Sequence, residues 1–233
     1  MTEAFDFDRA WMEKFRAYLD ETVGEEIREV VIQGGEDLSA DSRRLEVIEW
    51  TRQAIERLDS LVDERTSRSI LSACACHYPM ANLQEIKAVY ATSKDIDQVH
   101  CMLQEQFESF LKDTMQMSEE MFAEIVSRGW GSAGIKRGNT IVATKIPKSG
   151  HLIEYMKETD PKIRRQYYCH CPRVREAVKD NLMISPTYCY CGAGFYKAIW
   201  EEILQQPVEV EVLESVLSGG DVCKIAIHLP DDA

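Results

Sequence analysis

Val208-Glu209-Val210-Glu211-Val212, followed by Ser218-Gly219-Gly220-Asp221 and then Val222-Cys223-Lys224-Ile225-Ala226-Ile227-His228-Leu229, decides the fold. Apolar and acidic residues alternate with period two on the first arm, the pattern of a strand with one buried face. Val208, Val210 and Val212 are expected to face a core, and Glu209 and Glu211 to face solvent. The glycine pair supplies a turn, and the second arm returns with Cys223, Ile225 and Ile227 inward. An antiparallel hairpin is expected here. Just before it, Gly194 to Gln205 carries apolar residues at helical spacing and is stopped by Pro207.

Working back from the hairpin, Thr140 to Ile146 is β-branched and reads as a strand. His151 to Glu158 reads as a helix. Asp160-Pro161 is a cap followed by proline at the first helical position, and Cys171-Pro172 repeats that grammar. The first half is helical. Trp11, Phe15, Tyr18 and Leu19 form one stripe, with Asp8 as the expected N-cap. Ser39 or Asp41 is expected to start a long helix carrying Leu45, Ile48, Ile55, Leu58 and Val62. Further helices are expected over Thr66 to Cys76, around Leu83 to Tyr90, from Ser93 to Leu111, and from Ser118 to Gly129. The expected organisation is a helical region over 1–128 and an α+β domain over 129–233, joined at the glycine-rich stretch 129–138. Within it, Gly129-Trp130-Gly131-Ser132-Ala133-Gly134 matches G-x-G-x-x-G. It follows a helix and precedes a strand, the reverse of the order a dinucleotide fingerprint requires, so it reads as a flexible loop.

The chain has 233 residues, 45% of them hydrophobic, which is a globular composition rather than a disordered one. A net charge of −13 repels nucleic-acid phosphates and anionic lipid, so neither is expected as a partner. No apolar run approaches the roughly 20 residues of a membrane helix. The opening residues lack the basic start and apolar run of a signal peptide, which makes a cytoplasmic location the expectation. One basic cluster, Lys162-Ile163-Arg164-Arg165 with Arg173 and Arg175 nearby, is expected to lie on a solvated helix face or to bind a small anion.

Six of the eight cysteines come as Cys-x-Cys pairs: Cys74/Cys76, Cys169/Cys171 and Cys189/Cys191. A reducing compartment and the small ring such a pair would close both disfavour disulfides. Cys169/Cys171 and Cys189/Cys191 each precede an expected helix, where free N–H groups and the helix dipole favour thiolate. Together they are expected to floor a sulfur-rich pocket able to take tetrahedral Zn²⁺. Cys74, Cys76 and His77 are alternate metal ligands. If the helix runs through them, only one of that cysteine pair can join a common site. The other reading of these residues is buried small hydrophobes, and Cys101 is expected to be one. His100, beside Val99 and Leu103, is expected at the core edge.

The helix Phe195 to Ile203, the break at Gln206-Pro207, the strand from Val208 and the strand containing Cys223 resemble the C-terminal hairpin of the 4-vinyl reductase domain. That domain belongs to the ligand-binding superfamily of haem-nitric-oxide sensors and Golgi trafficking-particle subunits. The same region is similar to the bacterial family named after L-2-amino-thiazoline-4-carboxylate hydrolase. The usual Gly-Asp-Asp-x-Cys reads here Gly219-Gly220-Asp221-Val222-Cys223, with Gly220 in place of the first aspartate. The resemblance implies an α+β fold with a small-molecule pocket between helices and an antiparallel sheet. The leading expectation is a small-molecule-binding or sensor-like protein, with Tyr168, Tyr188 and Tyr190 beside the sulfurs as ligand-binding walls, and with a homodimer left open. The alternatives are a hydrolase of a small amino-acid-like or heterocyclic substrate, with Cys191 as nucleophile and His170 as base, and an interaction protein whose cysteines only pack.

Overall fold

Helix α1 (Phe7–Val23) is capped by Asp6, whose carboxylate accepts from Arg9 N at 3.0 Å. Its stripe, Trp11, Met12, Phe15 and Leu19, is buried. The sequence pointed to Asp8 as the cap. Asp8 is the second residue of the helix instead, its carboxylate buried against Arg173 and Arg44. A carboxylate near a helix start satisfies the same local pattern whether it caps or pairs, and only the distant arginines decide between the two. The structure, a computed structural model, describes residues 6–36, 38–39, 41–76, 78–148 and 151–230.

The helical region continues through α2 (Glu25–Ile32), α3 (Arg44–Leu61), α4 (Glu64–Ala73), α5 (Gln84–Ser93), α6 (Ile96–Ser109) and α7 (Glu119–Ser127). Helix α3 starts later than Ser39 or Asp41 predicts. Leu45 is 56% exposed, while Val47, Ile48, Trp50, Ala54, Ile55 and Leu58 make the buried stripe. Helix α4 is capped by Asp63 and ends at Ala73, so Cys74 and Cys76 lie beyond it. Helix α6 is capped by Asp95 rather than Ser93, and α7 by Ser118 as expected.

The α+β region opens with β1 (Ile135–Arg137) and β2 (Thr140–Thr144), joined by a two-residue turn at Gly138-Asn139. Strand β1 falls where the sequence suggested a loop. Then come α8 (Leu152–Lys157), α9 (Pro161–Tyr168) and α10 (Pro172–Asp180). Asp160 caps α9 with Pro161 at its first position, and Cys171 stands at the N-cap of α10 before Pro172. Helix α11 (Tyr190–Leu204) begins four residues earlier than predicted. Strands β3 (Glu209–Glu214) and β4 (Lys224–His228) complete one antiparallel sheet of order β1-β2-β4-β3.

The closing hairpin forms as read. Val210 faces Ile227 and Val212 faces Ile225 across it, with a bulge between Val212 and Glu214. Val208, Ile225 and Ile227 are buried, Val210, Val212 and Cys223 half-buried, and Glu209 and Glu211 exposed. Ala226, on the opposite side of β4 from Ile225 and Ile227, is buried too. Gly220 is required locally. A Cβ there would come within 2.6 Å of the Glu214 side chain. That carboxylate accepts from Asp221 N and Val222 N and pairs with Lys224 at 2.8 Å, closing the loop itself.

Helix α11 is the hub, packed on α4, α5, β3 and β4. Its closest approach is at Gly194, where a Cβ would lie 1.8 Å from Ser72 O. One apolar core includes residues of both halves, from Phe15, Leu71 and Leu103 to Ile141, Trp200 and Ile227. Each such fully buried side chain contributes about 1.5–3 kcal/mol. Among the described residues, no helix is long and apolar enough to cross a membrane.

Candidate functional site

The chain leaving β2 runs beside the α9–α10 junction. Lys148 N donates to Tyr168 O at 3.1 Å, and His170 Nε2 lies 2.8 Å from Ile146 O. Tyr168 ties this seam to the sheet: its hydroxyl donates to Lys145 O at 2.6 Å and accepts from Cys223 N at 2.9 Å. The two Pro-started helices are short, and the chain between them turns at Cys169, His170 and Cys171. Between this seam, α11, the end of α6 and the sheet lies a cavity of about 500 Å³.

Six cysteines line it: Cys76, Cys169, Cys171, Cys189, Cys191 and Cys223. The two pairs singled out by the sequence are therefore brought to one place, with Cys223 added from the residue just before β4. All eight cysteines are free thiols. Among the described residues, no group of three or more Cys, His, Asp or Glu is arranged to hold a metal ion. Cys74 is buried elsewhere, its thiol donating to Ile70 O at 3.2 Å. One member of that pair joins the site, as the sequence allowed, but because the chain has left the helix. His77 lies outside the described residues. Cys101, expected to pack, is exposed on α6. His100 is half-buried with Nε2 3.1 Å from Gly134 O, as its core-edge reading implied.

Helix-start position alone argues for lowered thiol pKa values. Burial overrides it. Desolvation, with Cys171 close by, pushes the Cys191 thiol up to about 12. Burial and neighbouring sulfurs likewise push up Cys169 and Cys189, and burial does so for Cys223. In a low-dielectric pocket the neutral thiol is favoured over the thiolate. Cys191 Sγ donates to Cys74 O at 3.4 Å, a contact only the protonated form makes. His170 presents its Nε2–H to the Ile146 carbonyl. Burial against the chain and the charge of Lys145 lower its pKa, so the ring is neutral at neutral pH. Its side chain is exposed to solvent, which limits the size of that shift.

Tyr168 and Tyr188 both line the cavity and are buried. Tyr188 Oη lies 3.6 Å from Cys171 Sγ and accepts from Arg173 Nη1 at 3.4 Å. Tyr190 does not line it. As the first residue of α11 it packs under the Arg68 guanidinium, 4.9 Å from the ring centre. Sequence reasoning missed Lys145, Tyr196 and Phe107, which also line the cavity. Lys145 carried one signal: a cation between Thr144 and Ile146 in an otherwise apolar strand.

Residues 151–233 match a family of unknown function (DUF6144), a match that takes in the α9–α10 seam, α11 and the hairpin. No curated protein and no solved structure matches the chain.

Proposed function

We propose that this chain binds a small organic molecule in the cavity of about 500 Å³ and acts as a sensor-like or carrier protein rather than through cysteine catalysis. The size of the cavity carries the reading. Its volume lies within the range of ligand pockets, and its walls, thiols and tyrosines with few charges, suit a largely apolar guest. The resemblance to the 4-vinyl reductase type supports the same reading, since it implies a pocket between helices and an antiparallel sheet. A reducing cytoplasm would keep the thiols free. The hydrolase alternative needs an activated thiolate beside a base, and the protonated Cys191 argues for the binding reading.

The test is a fluorescence titration with the uncharged probe N-phenyl-naphthylamine and its sulfonated analogue, anilinonaphthalene sulfonate. The expected result is saturable one-to-one binding of at least one probe. Cys171→Phe and, separately, Ser132→Phe should abolish it while near-UV circular dichroism stays native. No saturable binding of either probe, or binding indifferent to both substitutions in folded protein, would overturn the proposal.

A further inference from the structure

Among the described residues, four tyrosines line the cavity: Tyr78, Tyr168, Tyr188 and Tyr196. Three of their hydroxyls are engaged within the protein. Tyr78 Oη donates to Gln106 Oε1 at 3.1 Å, Tyr168 Oη bridges Lys145 O and Cys223 N, and Tyr188 Oη accepts from Arg173 Nη1 at 3.4 Å. Tyr196 differs. It is only 3% exposed, as deeply buried as Tyr168 and Tyr188. Yet among the described residues its hydroxyl makes no hydrogen bond. Nor is that oxygen sealed off by packing, as Trp11 Nε1 and Trp200 Nε1 are. The open space beside it is the cavity. Native proteins rarely leave a buried hydroxyl unpartnered, because the lost hydration is not replaced.

Tyr196 stands one turn after Gly192 on α11, and residues four apart share a helix face. Helical side chains lean toward the N-terminus, so the Tyr196 ring leans toward the gap that Gly192 leaves. Lys145 Nζ lies over the same gap, where a Cβ on Gly192 would be 3.2 Å away. The acceptors at this end of the wall are taken. Lys145 O accepts from Tyr168 Oη, Cys223 O from Lys145 N at 3.0 Å, and Ile146 O faces His170 Nε2. What remains are donors: the phenol O–H, the lysine ammonium and, more weakly, the thiols of Cys189 and Cys223. A wall whose free polar groups donate is complemented by an acceptor.

We infer that the guest of this cavity carries a carbonyl oxygen on an otherwise apolar body, and that Tyr196 selects it, donating its hydroxyl proton to that oxygen with Lys145 as the neighbouring donor. The inference rests on the binding reading above. A neutral ketone, ester or amide satisfies the phenol, and a carboxylate presents the same oxygen with added attraction to the ammonium. A pure hydrocarbon would leave the hydroxyl stranded. Since the hydroxyl has no partner among the described residues, removing it should not weaken the fold, in contrast to Tyr168.

Two competitors of nearly the same shape test this: 2-acetylnaphthalene and 2-isopropenylnaphthalene, which differ in C=O against C=CH₂. Each is titrated against the bound fluorescent probe, in the wild type and in Tyr196→Phe. The affinity of the ketone relative to the alkene should fall about fivefold or more in Tyr196→Phe, the equivalent of one hydrogen bond. The urea midpoint of the variant should match the wild type. 2-Naphthoate distinguishes the two kinds of carbonyl: tighter binding than the ketone, removed by Lys145→Met, assigns a carboxylate head, and weaker binding assigns a neutral one. A ketone that does not displace the probe, or a ketone-to-alkene ratio unchanged in folded Tyr196→Phe, overturns the inference and leaves the binding proposal standing. So does a midpoint that falls as expected for Tyr168→Phe, since the hydroxyl would then be engaged within the protein. Failure of both N-phenyl-naphthylamine and its sulfonated analogue to bind overturns both.

Discussion

Replacing Asp8 by asparagine removes one charge from a side chain whose surroundings the structure defines closely. Asp8 Oδ1 lies 3.1 Å from Arg173 Nε and 2.9 Å from Nη2, and Oδ2 lies 2.6 Å from Arg44 Nη1. The Arg173 side chain is fully buried and stacks on Trp11, 4.3 Å from the ring centre. Asp8→Asn keeps the shape and leaves that guanidinium without a counter-charge. Breaking a buried pair from one side costs about 3–5 kcal/mol. Arg44 is partly exposed and can turn to solvent, so it adds little. Loss of the true cap, Asp6→Ala, should cost only about 1 kcal/mol. The assay is urea unfolding near neutral pH. With a slope of about 1–3 kcal/mol per M, the midpoint of Asp8→Asn should fall by more than about 1 M, and that of Asp6→Ala by less. Adding Arg173→Met to Asp8→Asn should recover part of the loss, because the stranded charge goes too. If Asp8→Asn costs no more than Asp6→Ala, the buried pair is not what holds α1 to α10.

Gly194→Ala should lower the urea midpoint by the equivalent of about 1–3 kcal/mol or more, because the methyl would meet Ser72 backbone and force α11 from α4. Gly192→Ala, facing only the flexible end of Lys145, should be close to neutral in the same measurement. Tyr168→Phe should cost about 1–3 kcal/mol by leaving Lys145 O and Cys223 N unpaired, and a variant that unfolds like the wild type would deny the hydroxyl its bridging role. Stability should also fall in alkali. Burial holds Cys169, Cys189, Cys191 and Cys223 protonated above the thiol range of about 8.5, so over that interval the unfolded chain binds fewer protons than the folded one. The contribution is complete below about pH 8 and is lost as pH climbs, for Cys191 until about 12. Urea midpoints that stay flat from neutral pH into this range would contradict the buried-thiol description.

Local patterns were enough where structure is set locally. Alternation placed the closing hairpin and its solvent-facing Glu209 and Glu211, and the proline grammar placed α9 and α10. The α+β character, with a helical first part and a small antiparallel sheet, followed from the same signals. The three-residue strand β1 left too short a pattern to read, and its glycine-rich surroundings mimic a loop. The clustering of Cys169/Cys171 with Cys189/Cys191 was legible because the pairs sit at neighbouring helix starts. Their protonation was not, because burial depends on how α11 and the sheet close around them. Asp8 and Lys145 were misread or missed for a common reason: a charge seen in sequence does not say whether its partner is a distant residue, water, or a guest.

The most direct measurement of the central claim uses the protein's own thiols. Alkylation of each cysteine by N-ethylmaleimide can be followed by mass spectrometry with and without saturating anilinonaphthalene sulfonate. Cys76 and Cys101 are both exposed, but only Cys76 lines the cavity. The account predicts that the probe slows labelling of Cys76 and Cys171 and leaves Cys101 unchanged. Equal protection at Cys101, or no protection at Cys76 and Cys171 under conditions where the probe is bound, would contradict it.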